Sequence, residues 1–192
     1  DKTLRGKGYF SGDSLVNQPF DFSQKNYFSL RDFHDVLRAV IFPEATPAEK
    51  RFDLSEDDYR FLYRVMSELP RESQFPKYDH EPDHYCKFFL FGDRKKEEKM
   101  PANIRIFNKP GWAYGFLTDV AYIVDFENQV EFFLAATIHV NEDGIFNDDN
   151  YDYEKMGLPF LANLGRVVYE HELKRKRKRA PDLGKFKVVR YD

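Results

Sequence analysis

Asn103-Ile-Arg-Ile-Phe-Asn-Lys-Pro-Gly-Trp112 opens the stretch that decides the fold, and two long apolar runs follow it up to Val140. Ile104, Ile106 and Asn108 alternate with Arg105 and Phe107, the period of a β-strand. That strand is expected to end on Lys109-Pro110-Gly111, which puts a lysine on the rim of a cleft. Gly115 to Phe126 and Val130 to Val140 read as the next two strands. Glu127-Asn128-Gln129 joins them, a short polar link that implies an antiparallel hairpin. Val120-Ala121-Tyr122-Ile123-Val124 and Phe132-Phe133-Leu134-Ala135-Ala136 are too continuously apolar for strands with one wet face. The sheet is therefore expected to be covered on both sides by helices.

The flanking sequence supplies helices. Ser29 to Phe42 carries an N-cap serine, Asp32 in the first turn, an apolar stripe from Leu30 to Ile41, and Pro43 as a stop. Ser55 to Leu69 repeats the pattern with Glu56, Asp57 and Asp58 in its first turn and Pro70 after its end. A third helix is expected from Leu158-Pro159 to about Glu172. Tyr85 to Phe91 is a short apolar run that suits a strand or a buried helical turn. Residues 1 to 28 read as turns and loop, and Phe186 to Tyr191 as an edge strand or a tail. The fold class is thus α+β, an antiparallel sheet covered by helices. Residues 1–100 form a small helical layer with loops, and 101–192 the sheet plus the C-terminal helix, in one compact unit.

Composition narrows the function classes. Hydrophobic residues are 42% and charged residues 33%, which marks a globular chain rather than a disordered one. The net charge of −3 gives no global field to attract nucleic acid. The lone cysteine, Cys86, excludes an internal disulfide and a cysteine-based zinc site. No apolar run reaches the ~18 residues of a membrane span. The chain starts at Asp1 rather than Met, which suggests a mature form or a piece of a longer protein.

Several motifs have a plain reading. Gly6-Lys7-Gly8 lacks the rest of a phosphate loop and reads as a surface turn. His34 has no second histidine at i+4 and reads as a helix histidine. His80 and His84 have metal-pair spacing, but Pro82 between them opposes a regular helix. The acidic segment Asn141 to Glu154 does not follow the calcium-loop order and reads as a solvated loop. Lys174 to Arg179, an unbroken basic run, reads as the exposed end of the last helix rather than a nucleic-acid patch. No cofactor, metal or nucleic-acid partner is expected.

The order of small helices, strand with Lys-x-Gly, strand, strand and long helix resembles the class A β-lactamase and penicillin-binding serine hydrolase family. Lys109-Pro110-Gly111 is similar to that family's Lys-Thr-Gly element, and Thr118-Asp119-Val120-Ala121 to the segment after it. The resemblance covers about Ser29 to Glu172 and is densest after Asn103. On Asn108 to Tyr114, Phe132 to Val140 and the Pro159-to-Glu172 helix the chain resembles more specifically a β-lactamase-related group of envelope proteins from Bacteroides-like bacteria, which implies the cell envelope or periplasm. The resemblance also implies that Lys109 supplies a cation for a substrate carboxylate. The N–H of Trp112, just after Gly111, becomes an oxyanion-hole donor. Pro110 departs from the element and brings no hydroxyl. The family also needs Ser-x-x-Lys and a Ser-Asp-Asn-like loop. The serines, at positions 11, 14, 23, 29, 55, 67 and 73, have no lysine three residues later, and no Ser-x-Asn or Tyr-x-Asn triplet occurs. Two accounts follow. Either the chain is the C-terminal portion of a hydrolase acting on a β-lactam, cell-wall peptide or other amide or ester, or it is a non-catalytic relative that binds a peptide or protein. A sheet lacking strands would expose an edge, so homo-oligomerisation through that edge is expected.

Overall fold

The structure is a computed structural model that describes residues 3–187. The first turns-and-loop region proves to contain four short strands: Leu4–Arg5 (β1), Gly8–Ser11 (β2), Ser14–Val16 (β3) and Phe20–Asp21 (β4). Runs this short carry no readable period, so tertiary pairing decides them. β1 pairs with β4 and β2 with β3, both antiparallel. Helix α1 (Leu30–Ile41) starts where expected, with the Ser29 hydroxyl accepting from the Asp32 N–H at 3.0 Å. Helix α2 (Glu56–Ser67) opens on a reciprocal capping box between Ser55 and Asp58. The apolar run after Tyr85 makes one distorted helical turn, α3 (Phe88–Phe91).

Three ten-residue strands follow: β5 (Ile104–Ala113), β6 (Phe116–Asp125) and β7 (Val130–His139). Ile145–Phe146 (β8) lies inside the acidic loop and pairs in parallel with β2. Helix α4 (Leu158–Lys174) enters through a wide turn at Tyr153–Gly157. Gly184–Phe186 is a 3-10 turn, and most of the segment expected as an edge strand or tail, from residue 188 on, lies outside the described residues.

β5, β6 and β7 form one antiparallel sheet with β6 in the middle. β5 runs through Lys109-Pro110-Gly111 to Ala113, which corrects the expectation that it stops there. The reason is ladder geometry. The Phe126 N–H donates to the Asn103 carbonyl at 2.9 Å, and the register is continuous from there. Residues 105, 107, 109, 111 and 113 therefore exchange hydrogen bonds with β6, and residues 104 to 112 of even number point their main chain outward. Pro110 sits at an outward position on an edge strand, where a missing N–H breaks no ladder bond. Tyr114 and Gly115, with φ of 55° and 77°, close the hairpin as a two-residue turn whose twist suits the strands.

Alternation along the strands divides the core into two. Phe107, Val120, Tyr122 and Val124 face Leu37 and Ile41 of α1, Tyr63 of α2 and Phe186. Ile104, Ile106, Leu117, Ala121 and Ile123 face α3 and Leu161 of α4. Each fully buried side chain of this size contributes roughly 1.5–3 kcal/mol. The sheet is thus covered by helices on both faces, as its apolar strands require. No helix among the described residues is long and apolar enough to cross a membrane.

Candidate functional site

The outer edge of β5 carries the residues singled out from the sequence. The Lys109 side chain is exposed and its Nζ donates to the Pro110 carbonyl at 3.0 Å. Lys109 projects to the α1–α2 side of the sheet, whereas Trp112 projects to the α3–α4 side. Gly111 faces open space. The Trp112 N–H points off the edge with no hydrogen-bond partner among the described residues. Its indole stacks on Phe88, with ring centroids 5.8 Å apart, and on Tyr153 at 5.9 Å, with Tyr85 edge-on. Tyr85, Cys86, Phe88, Pro110, Gly111 and Trp112 enclose a groove of about 200 Å³. The strand thus brings Gly111 and Trp112 to one groove and leaves Lys109 on its back. A larger depression of about 430 Å³ between α1 and the 46–52 loop is open and lined by charges of both signs.

Behind the groove lies a buried polar network that sequence reasoning missed. Lys87 is buried and donates from Nζ to the Met66 carbonyl and to Asn108 Oδ1, each at 2.7 Å. Asn108 Nδ2 donates to the Cys86 carbonyl at 2.7 Å and to Asp119 Oδ1 at 2.9 Å. Asp119 lies directly across from Pro110 and is fully buried. Its Oδ2 has no hydrogen-bond partner among the described residues. Burial pushes Asp119 up to about 7, against the pull of Asn108 and Lys87. Burial likewise pushes Lys87 down to about 8, opposed by Asp119. A signal for Asp119 was available: it occupies an inward position of the apolar run Leu117 to Val124. Lys87 gave none, because its neighbours have no regular period.

The segment between network and groove is strained. Leu90 has φ 69° and ψ −40°, outside the ordinary left-handed well, a conformation that costs about 1–3 kcal/mol. Helix α4 holds it in place. A side chain at Gly165 would come within 2.6 Å of the Leu90 nitrogen, so only glycine allows this approach. Arg166 donates to the Leu90 carbonyl at 2.8 Å and grips both oxygens of Asp93 at 2.6 and 2.8 Å.

No nucleophile of the expected kind stands in the groove. Ser29 and Ser55 are helix caps, Ser67 donates to the Tyr63 carbonyl, and Ser73 to the Pro76 carbonyl. Cys86 reaches the surface, but partial burial pushes its thiol up, away from a ready thiolate. His84 is buried beside it, with burial lowering its pKa and no partner for Nδ1, while His80 is exposed. The described residues contain no group of three side chains suited to a metal. Arg175 and Arg177 in the basic run are both tied to Glu172. No family model, no curated protein and no solved structure matches this chain.

Proposed function

We propose that this chain forms one wall of a β-lactamase-like or penicillin-binding-like serine hydrolase cleft in the bacterial envelope or periplasm. In this reading an amide or ester substrate, a β-lactam or a cell-wall peptide, lies extended along the outer edge of β5. The observation that carries it is the unpaired Trp112 N–H on an open edge strand, directly above an aromatic groove. An N–H fixed by a ladder and free of a partner is what an oxyanion needs. An edge strand also offers main-chain hydrogen bonds to an extended ligand. The sequence of edge strand, two antiparallel neighbours and a covering C-terminal helix supports the same reading. Lys109 would supply long-range positive charge to a substrate carboxylate, and the nucleophile would come from outside these 192 residues.

A second reading, a non-catalytic binding domain for a cell-wall peptide or a protein, is favoured by the lack of any activated serine or thiol in the groove. One experiment separates them. The product of the full gene is treated with a fluorescent penicillin and a fluorophosphonate, and Trp112 emission is followed with the same ligands. Covalent labelling that weakens in Lys109→Ala supports the hydrolase. Reversible binding without labelling supports the binding domain. The absence of both labelling and a Trp112 response sinks the hydrolase, and covalent labelling sinks the binding domain.

A further inference from the structure

We propose that Lys87, Asn108 and Asp119 are positioning residues for the groove: their hydrogen-bonded network fixes the main chain at Cys86 and Lys87, and through it the Phe88–Trp112 stack that meets a ligand. None of the three reaches the groove itself. Lys87 ties the segment to the end of α2 through the Met66 carbonyl. Asn108 ties it to β5 and, through the Cys86 carbonyl, to the residue that lines the groove. Asp119 anchors the Asn108 amide from β6, accepting from Nδ2 at 2.9 Å. Both N–H bonds of the Asn108 amide and its oxygen are used, so the amide has one orientation. A side chain with every group committed transmits a change at either end.

The network is poised to change. With Asp119 ionised, its Oδ1 accepts from the Asn108 amide that holds the Cys86 carbonyl. Once it is protonated that hold weakens, and the strained Leu90 turn is braced by α4. The groups facing the pair are Cys86 on the same segment, Arg105 on β5 and Glu72 after α2. Lys109 and Glu81 act on Cys86 through space, His84 lies two residues before it, and β7 places the uncharged Ala136 across from Asp119. Arg166 of α4 is paired with Asp93. The consequence for binding rests on the reading of the groove given above, but the network does not.

The chain carries its own reporter, since Trp112 is its only tryptophan and sits on Phe88. Trp112 emission and acrylamide quenching are measured against pH in the native protein, Asp119→Asn, Lys87→Met and His84→Gln, with far-UV circular dichroism to confirm folding. The native protein is expected to show a transition between about 7 and about 8. Asp119→Asn is expected to abolish it while remaining folded, and Lys87→Met to shift or abolish it. If Lys87→Met does not fold, Asp119→Asn decides alone. No transition in the native protein, its persistence in Asp119→Asn, or its loss in His84→Gln alone overturns the proposal. A transition that behaves as expected, without any response to the penicillin or fluorophosphonate probes, leaves the network standing and removes the hydrolase reading.

Discussion

Asp119 and Asp125 lie six residues apart on one strand, on one face, and both are fully buried. Their carboxyl groups are driven in opposite directions. Burial raises both, but at Asp125 it is outweighed. Asn128 donates from its side chain and main chain, and Glu127 N–H, Asn103 Nδ2 and the Tyr169 hydroxyl add to it, holding Asp125 at about 2. Asp119 has one full-geometry donor, Asn108, and stays at about 7. Asp125, at the end of β6, is less deeply desolvated and has several donors, whereas Asp119, deeper in the sheet, has one; the two differences together set their charges. Asp125 latches the β6–β7 hairpin to α4. Asp119 is left poised, next to the groove.

The largest way to break this contrast is to remove the cation near Asp119. Lys87→Met leaves a buried carboxylate uncompensated and is expected to cost about 3–5 kcal/mol in urea unfolding at neutral pH. The double variant Lys87→Met with Asp119→Leu is expected to recover part of that loss, because no lone charge remains while the buried Asn108 amide loses two of its three partners. If the double variant is no more stable than the single one, the pair is not coupled as described. Next in size is Asp125→Asn, expected to cost about 2 kcal/mol through loss of charge-assisted bonds. Its sign with pH is fixed. The folded pKa lies below that of the unfolded chain, so the stability it gives is present above about pH 4 and is lost as pH falls toward about 2. The gap between native and Asp125→Asn urea midpoints should close over that range. Asp119 has the opposite sign: its folded pKa is raised, so its contribution is greatest below about pH 4 and falls as pH rises toward about 7. The smallest effect is expected at exposed Lys109, where Lys109→Ala should change stability by no more than about 0.5 kcal/mol. A larger change would mean that Lys109 helps hold the edge strand together.

Local signals carried much of the fold. Ser29 and Ser55 mark helix starts because a cap satisfies main-chain donors whatever lies around it. Val120 to Val124 announces a sheet covered on both faces because that burial shows as an unbroken apolar run. β1 to β4 and β8 were invisible, since each is too short for a period and exists only through pairing with a distant segment. The continuation of β5 through Pro110 was misread because a proline's cost depends on which way its missing N–H would point. At the site, Lys109, Gly111 and Trp112 were singled out as following a strand end, whereas the strand runs on to Ala113. The Lys87–Asn108–Asp119 network was not, because it joins three elements that only the folded chain brings together. The separation of Lys109 and Trp112 onto opposite faces follows once the strand is known to continue.

The Arg166 fork has a kinetic consequence. One guanidinium joins the Leu90 carbonyl, Asp93 and Asn163, while Gly165 beside it lets the α3 main chain rest on the helix. Neither segment can leave the sheet without exposing the other's unsatisfied polar groups. In native-state hydrogen exchange the amides of α3 and the middle of α4 should open together, at a shared free energy. The groove would then lose its Phe88 wall in the same event that lifts the C-terminal helix.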